Sequence, residues 1–415
     1  MGGGGREHAL AWKLAQSPSL TKLWASPGNP GIADHAELIA LDLKNHKSVV
    51  DFCIAHGIDL VVVGPEAPLV DGIADSLRSG GIAVFGPSRA AAQLEGSKGF
   101  TKELCSAANI PTAAYERYND RDLAKAGLTD FGLPVVVKAD GLAAGKGVTV
   151  ATTMAEAEAA LDAIFAEQGA SVVIEDFLEG EEVSLFALSD GATVCAFGTA
   201  QDHKRIGEGD TGPNTGGMGA YSPATVLTPD LEARAMAEIV QPTVEAMRNA
   251  GMPFVGVLYA GLMLTAEGPK LIEYNVRFGD PETQVLMPRF TGDLASLFLS
   301  VATGKLDPIS AQSFNTSVSM AVVLAAAGYP GAYTSGDVIS GVSSADAIGK
   351  TFLAGVEQKD DEIFASGGRV LAVTGSGADI IIAQANAYAA LKEISFSNGQ
   401  FRNDIGWREV KRMRL

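Results

Sequence analysis

Leu271-Ile272-Glu273-Tyr274-Asn275-Val276-Arg277-Phe278-Gly279-Asp280-Pro281-Glu282-Thr283-Gln284 joins an apolar strand to a cluster of charged groups. Leu271 and Ile272 continue a strand that starts near Pro269. Alternate residues of a strand share a face, so Glu273, Asn275 and Arg277 fall on one side. A carboxylate, an amide oxygen and a guanidinium in a row are costly to bury for packing alone. Glu273 and Asn275 offer hard oxygen ligands suited to Mg²⁺. Arg277 suits a phosphate or a carboxylate. Gly279-Asp280-Pro281-Glu282 then turns the chain and adds two more acids. The bland alternative is a polar strand end followed by a turn.

The chain has 415 residues, enough for two to four domains at roughly 100–200 residues each. Hydrophobic residues make up 47% and charged residues 19%, as in an ordinary soluble enzyme. A formal charge of −18 repels phosphate backbones and anionic membranes, so neither nucleic acid nor membrane is expected as a partner. Cys53, Cys105 and Cys195 lie far apart without metal-binding spacing and read as reduced thiols. Met1–Gly5 lacks the apolar core of a signal peptide, Arg6 excludes a myristoylation site, and Val318–Gly328 is too short to span a bilayer. A cytoplasmic protein is expected, as a monomer or weak dimer.

Residues 1–88 read as a doubly wound α/β domain. A helix is expected from Gly5 to Gln16, with strands near Lys22–Ala25, Ile58–Val63 and Ile82–Phe85 and helices over Lys47–His56 and Leu69–Ser79. A glycine loop feeding a helix ordinarily follows the central first strand, yet nothing apolar precedes Gly2. The natural chain is therefore expected to carry roughly half a dozen more apolar residues ahead of Met1, a typical strand length. The loop is no dinucleotide fingerprint, since His8 stands where the third glycine belongs. It remains a set of N–H groups at a helix start, a ready anion site with Arg6 beside it. His8 itself reads as helix packing.

From residue 89 the character changes. Val135-Val136-Val137-Lys138 is an apolar strand ending in a lysine, which is costly unless an anion meets it. Asp140-Gly141-Leu142-Ala143-Ala144-Gly145-Lys146-Gly147 follows; Asp140 and Gly147 rule out a Walker loop, leaving a glycine-rich flap over phosphates. Glu175 to Ser184 packs acids around Phe177-Leu178, an apolar wall for a purine with a carboxylate beyond for ribose hydroxyls. A second glycine-rich loop, Gly212–Tyr221, marks a close backbone approach. Helices over Met154–Gln168 and Asp230–Ala250 and a hairpin at Thr265–Gly268 complete this part. Residues 310–415 read as a mostly β domain.

The ordered set Gly2–His8, Gly64-Pro65-Glu66, Leu94–Lys98, Val137–Val148, Gly216–Gly219 and Glu273–Glu282 resembles the phosphoribosylamine–glycine ligases of purine biosynthesis, within the ATP-grasp superfamily. The resemblance covers nearly the whole chain. It implies an N-terminal α/β domain (1–88), an ATP-grasp core (89–309) with an inserted lid (about 110–176), and a C-terminal domain (310–415). It implies ATP, glycine and 5-phosphoribosylamine as substrates and Mg²⁺ or Mn²⁺ as cofactor. By resemblance, Lys98, Lys138, Lys146, Glu175, Phe177, Leu178 and Glu182 would hold ATP, and Glu273 and Asn275 the metal. Gly3, Gly4, Arg6, Glu7, Glu66, Asp202, Gly217 and Met218 would bind substrate, with Arg277, Asp280 and Lys204 in the catalytic positions. Many relatives carry a further metal carboxylate earlier in the hairpin; Tyr259-Ala260-Gly261 offers none. Another ATP-grasp ligase, or an ATP-binding module without turnover, are the rival readings.

Overall fold

The computed structural model of the chain describes residues 1–142 and 147–414. In the N-terminal layer, helix α1 (Gly5–Leu14) follows the glycine run, and Glu7 closes its first turn by accepting the Gly4 N–H at 2.8 Å. Strands β1 (Trp24–Ala25) and β2 (Glu37–Leu38) form one parallel pair, and β3 (Leu60–Val62) and β4 (Ala83–Phe85) another. The helix expected over Leu69–Ser79 is two helices, Glu66–Asp71 and Ile73–Ser79, because Gly72 takes φ +98° and ends the first.

Only Met1 and Gly2 run between the two strand pairs. The Gly2 N–H donates to the Ser26 carbonyl at 2.8 Å and the Gly28 N–H to that of Gly2 at 3.2 Å. On the other side, the Met1 ammonium donates to the Val62 carbonyl at 2.7 Å and the Gly64 N–H to that of Met1 at 3.0 Å. Beyond them lies a cavity of about 690 Å³, lined by Leu10, Val49, Phe52 and Leu299 among others.

The next layer is an antiparallel sheet of β5 (Tyr115–Tyr118), β6 (Val135–Ala139), β7 (Val148–Ala151) and β8 (Val172–Asp176), in the order β5-β8-β6-β7. Helix Met154–Phe165 covers it, and Val135, Val137, Leu161 and Ile174 between them are solvent-free. Each such side chain contributes about 1.5–3 kcal/mol by leaving water. This small core is separate from the other three, as suits a lid.

The remaining strands are β9 (Glu181–Asp190), β10 (Val194–Asp202), β11 (Arg205–Gly207), β12 (Thr211–Asn214), β13 (Gly219–Ser222), β14 (Val255–Thr265), β15 (Gly268–Asn275), β16 (Val318–Ala326), β17 (Val338–Ile339), β18 (Thr351–Leu353), β19 (Val356–Lys359), β20 (Glu362–Ala365), β21 (Arg369–Gly377) and β22 (Gly399–Gln400). One antiparallel sheet runs β15-β14-β9-β10-β13-β16-β21-β18. It crosses from the centre of the chain into the C-terminal region, because β13 pairs on one edge with β10 and on the other with β16. Helix Ile380–Leu391 covers the C-terminal end of the sheet. The helix expected over Asp230–Ala250 carries a π turn at Met236–Val240, immediately before Pro242, which has no N–H to continue the α ladder.

Two buried histidines make stability depend on pH. The Leu353 N–H donates to His8 Nδ1 at 2.8 Å and the Gly406 N–H to His203 Nε2 at 3.1 Å, so each ring must keep an unprotonated nitrogen. Burial, with Lys350 adding to it, lowers the His8 pKa to about 3; burial, with Arg402 adding to it, lowers that of His203 to about 4. A depressed base contributes full stability above its unfolded pKa of about 6.5, and loses it as pH falls toward the folded value. The urea midpoint is expected to fall between pH 6.5 and 4, and His203→Gln to flatten part of that slope. Equal slopes in both proteins would remove His203 from the account.

Arg402 is fully buried and ties the chain's end to the β11–β12 hairpin. It donates to Asp404 at 2.8 and 2.7 Å, to Asp210 at 2.8 Å and to the Arg205 carbonyl at 3.0 Å. Arg402→Met leaves Asp404 without its cation, while Asp210 keeps Arg408 at 2.8 Å, and is expected to cost about 3 kcal/mol, read as a lower urea midpoint at pH 7.

Candidate active site

A cavity of about 710 Å³ opens where the lid, the β14–β15 hairpin, the β10–β13 segment and the N-terminal layer meet. The lid and the helix before it, Lys98–Ala108, supply its cationic wall. Lys138 stands next to last in β6, buried, and donates to the Ile272 carbonyl of β15 at 3.1 Å while pairing with Glu175 at 2.9 Å. Lys102, also buried, takes the other Glu175 oxygen at 3.0 Å. Burial lowers the pKa of Lys102, and also that of Lys98, whose ammonium donates to the Gly141 carbonyl at 2.9 Å. Lys138 and Lys102 share one carboxylate and Lys98 stands beside them, so this wall favours a polyanion.

β15 brings Glu273 and Asn275 to the same cavity. Among the described residues neither side chain takes part in a hydrogen bond or ion pair, although both are only half-exposed. Two unused oxygen donors two residues apart on a strand, facing three ammonium groups, fit a divalent cation that shares its other ligands with phosphate. No cluster of three or more His, Cys, Asp or Glu suited to a metal occurs among the described residues.

Beyond β15 the wall becomes an arginine clamp. The Arg277 Nε donates to Glu66 at 3.1 Å, and its Nη2 pairs with Glu95 at 2.9 Å. The neighbouring Val276 N–H donates to the second Glu95 oxygen at 2.8 Å. Burial pushes the Glu95 carboxyl up despite the guanidinium beside it. Arg6 donates to Glu7 at 2.7 Å and to the Phe278 carbonyl at 3.1 Å. Asp280 accepts from Gln284 at 2.7 Å and pairs with Arg369 at 3.3 Å. Burial acts to raise the Asp280 carboxyl, but Arg369 and Arg6 outweigh it and hold it below the usual range.

A third group gathers Lys204, Glu182 and Asp202. Lys204 pairs with both acids, at 3.2 Å to Asp202 and closer still to Glu182. Burial pushes both carboxyls up, and the two acids hold the Lys204 ammonium well above its ordinary range against its own burial. Glu182 thus stands with Lys204, and Phe177 and Leu178 form the cavity edge beside it.

Several positions differ from the sequence reading. The Glu175 side chain is turned inward as counter-ion to two lysines, leaving only its main chain for an adenine edge. Glu7 caps α1, and its carboxylate is occupied by Gly4 and Arg6. Gly3 lies against the Gly28 carbonyl, where a Cβ would come within 2.5 Å. Met218 is fully buried in the C-terminal core, where its N–H donates to the His203 carbonyl at 2.8 Å and its own carbonyl accepts from the Val323 N–H at 3.0 Å. Gly217 is held at φ +116°, with room for a Cβ denied by Pro281 at 2.5 Å. Lys146 and most of the flap lie outside the described residues.

The comparisons with known proteins agree along the whole chain. Family models for phosphoribosylglycinamide synthetase match its N domain at residues 1–95, its ATP-grasp (A) domain at 96–283 and its C domain at 319–408. The phosphoribosylamine–glycine ligase of Rhizobium meliloti (strain 1021) is 56% identical over 416 residues, covering 99% of this chain and 98% of that protein. That of Mesorhizobium japonicum is 58% identical, covering 100% and 98%, and that of Escherichia coli O157:H7 49%, covering 99% and 98%. The chain belongs to the phosphoribosylamine–glycine ligase family. The crystal structure of the Thermotoga maritima ligase matches with a TM-score of 0.85 at 31% identity, over 97% of this chain and 98% of that one. A 2-oxoglutarate carboxylase biotin carboxylase domain from Hydrogenobacter thermophilus matches at a TM-score of 0.69 and 19% identity, which shows the shared fold.

The cavity and its wall include three groups that sequence reasoning did not assign. Glu95 locks Arg277; the motif around it was visible, but its partner is far away in sequence. The Tyr259 hydroxyl donates to Glu282 at 2.7 Å and accepts from Ser184 at 2.8 Å, closing the wall beside Lys204. Arg369 reaches in from β21 and donates to the Gly216 and Asp280 carbonyls at 2.7 and 2.5 Å. Arg369→Ala is expected to raise the KM for the phosphorylated amine at least about tenfold and leave the KM for ATP within about twofold. Equal rises in both constants would mean a general loosening instead.

Proposed function

We propose that the cavity holds ATP against the lysine wall and glycine with 5-phosphoribosylamine against the arginine clamp. The products would be glycinamide ribonucleotide, ADP and phosphate. The observation that carries this reading is the pairing of unused Glu273 and Asn275 oxygens with the Lys98–Lys102–Lys138 group, continuous with Arg277.

A carboxylate is a poor acyl donor. Transfer of the terminal phosphoryl group of ATP to a glycine carboxylate oxygen makes glycyl phosphate, whose leaving group is good. The ribosylamine nitrogen then attacks that carbonyl, and the C–O bond to phosphate breaks. Lys138 and Lys98 neutralise phosphate charge, and the carbonyl that Lys138 binds on β15 ties the lid to the metal-ligand strand. Mg²⁺ or Mn²⁺ held by Glu273 and Asn275 would draw the phosphate oxygens together and neutralise their charge. Phe177 and Leu178 offer the adenine its apolar edge. Arg6, Arg277 and Arg369 give the ribose phosphate and glycine carboxylate a positive setting, and Glu66, Glu95 and Asp280 hold those arginines in place. No residue need form a covalent intermediate, so rate comes from positioning and charge.

The test is ADP release with Mg-ATP, glycine and phosphoribosylamine formed in place from ammonia and ribose 5-phosphate, each omitted in turn. Release needing both co-substrates, with glycinamide ribonucleotide appearing, supports the reading. Release without glycine moves the chain to another acyl acceptor or donor.

A further inference from the structure

Asp140, which opens the glycine-rich flap, belongs to neither the lysine wall nor the arginine clamp. Its side chain is only 4% exposed, at the point where the lid meets helix Lys98–Ala108. One carboxylate oxygen accepts from the Ser97 hydroxyl at 3.0 Å and from the Gly99 N–H at 3.2 Å, the residues on either side of Lys98. The other pairs with Arg117 of β5 at 2.8 Å and accepts from the hydroxyl of Ser171, just before β8, at 3.4 Å. The Asp140 N–H donates to the Ser171 carbonyl at 2.9 Å, so the backbone that bears the carboxylate is fixed as well. Gly99 leaves space for this arrangement, since a Cβ there would come within 2.5 Å of Arg117 Nε. One residue after Asp140, the Gly141 carbonyl receives the Lys98 ammonium at 2.9 Å.

We propose, on the reading of the lysine wall as the ATP site, that Asp140 is a positioning residue: it holds Lys98 at both ends and so fixes the ammonium against the phosphates of ATP. A lysine stem is flexible, and its ammonium keeps one place only if backbone and tip are both tied. Asp140 ties the backbone through Ser97 and Gly99, and the carbonyl of the next residue ties the tip. A helix cap alone does not call for this carboxylate. Ser97 already caps helix Lys98–Ala108, accepting from the Phe100 N–H at 3.1 Å. Nor does Arg117 depend on it for a partner, since Glu103 pairs with that guanidinium at 3.0 Å. A carboxylate desolvated beside groups that are otherwise satisfied costs free energy, and the return lies in what it joins. It joins the lid, through β5 and the approach to β8, to the start of the helix that carries both Lys98 and Lys102. The contact thus sets the register of the lid against the lysine wall.

The experiment joins steady-state kinetics to the amine reactivity of Lys98 in the full chain without nucleotide, read by mass spectrometry after limited acetylation with acetic anhydride. Asp140→Ala is expected to raise the KM for ATP about tenfold, leave those for glycine and the phosphorylated amine within about twofold, and speed acetylation of Lys98 about tenfold. Asp140→Asn keeps the oxygen to which Ser97 and Gly99 donate, and should stay within about threefold of the parent in both readouts. Ser97→Ala removes one tie and should act in the same direction by about threefold, so the test stands even if Asp140→Ala does not fold. Lys98→Met supplies the reference. Added to it, Asp140→Ala should raise the KM for ATP by less than about twofold more, because the two residues act as one. Effects that multiply, an equal rise in every KM, or Lys98 acetylation unchanged by Asp140→Ala overturns the proposal. If Lys98→Met alone leaves the KM for ATP at the parent value, the ATP reading fails instead, and the acetylation rate still decides whether Asp140 holds Lys98.

Discussion

Lys138→Met is expected to lower kcat/KM for ATP by about 10²–10³-fold with little change in fold. The size of the effect follows from the site of the charge. Lys138 follows Val135, Val136 and Val137, all buried, and its ammonium points into the cavity from a low-dielectric wall. A charge aimed at phosphate from such a setting is worth far more than one in water. Methionine keeps the length and apolar stem, so the lid core of Val135, Val137 and Ile174 is undisturbed. Glu175 would keep Lys102 as its partner at 3.0 Å, which avoids an unpaired buried carboxylate. Steady-state kinetics with ATP varied, beside a thermal melt, check both halves. An unchanged kcat/KM would take Lys138 off the phosphates.

Glu273→Gln should reduce metal-dependent turnover by about 10²-fold or more, with a raised requirement for Mg²⁺. The change replaces one oxygen by an N–H₂ group of the same shape and removes the negative charge a divalent ion needs. Glu273 makes no side-chain hydrogen bond or ion pair among the described residues, so its loss breaks nothing structural. Stability should stay within about 0.5 kcal/mol of the parent. The decisive plot is activity against Mg²⁺ concentration: a right-shifted curve with a lower plateau fits a ligand, and a superimposable one refutes the assignment. Lys98, whose ammonium feels Glu273, gives an internal comparison, because its loss should affect ATP rather than the metal optimum.

Much of this was legible in the residues. Strand alternation alone put Glu273, Asn275 and Arg277 on one face, and a lysine at the end of Val135-Val136-Val137 announced an anion. His8 was readable as packing, since it sits on the inner face of α1. Elsewhere residue type and period specify only the element. The glycine-rich run around Gly217 indicates a close approach, but not which neighbour faces the cavity; Met218 does not. The acidic stretch from Glu175 suggests a nucleotide edge, but only the distance to Lys138 and Lys102 shows that the Glu175 side chain is already committed.

The sequence by itself determined the local chemistry: which groups can bind phosphate, metal or carboxylate, and which segments are strands or helices, because these depend on residue type and period. Tertiary structure alone decided which charges neutralise one another. Glu95 and Arg277 meet across 182 positions, as do Asp280 and Arg369 across 89, and no periodicity relates such residues. The joining of the C-terminal strands to the central sheet through β13 is of the same kind. Local propensity fixes a strand, but its neighbours are chosen by the edges left open once the whole chain has packed.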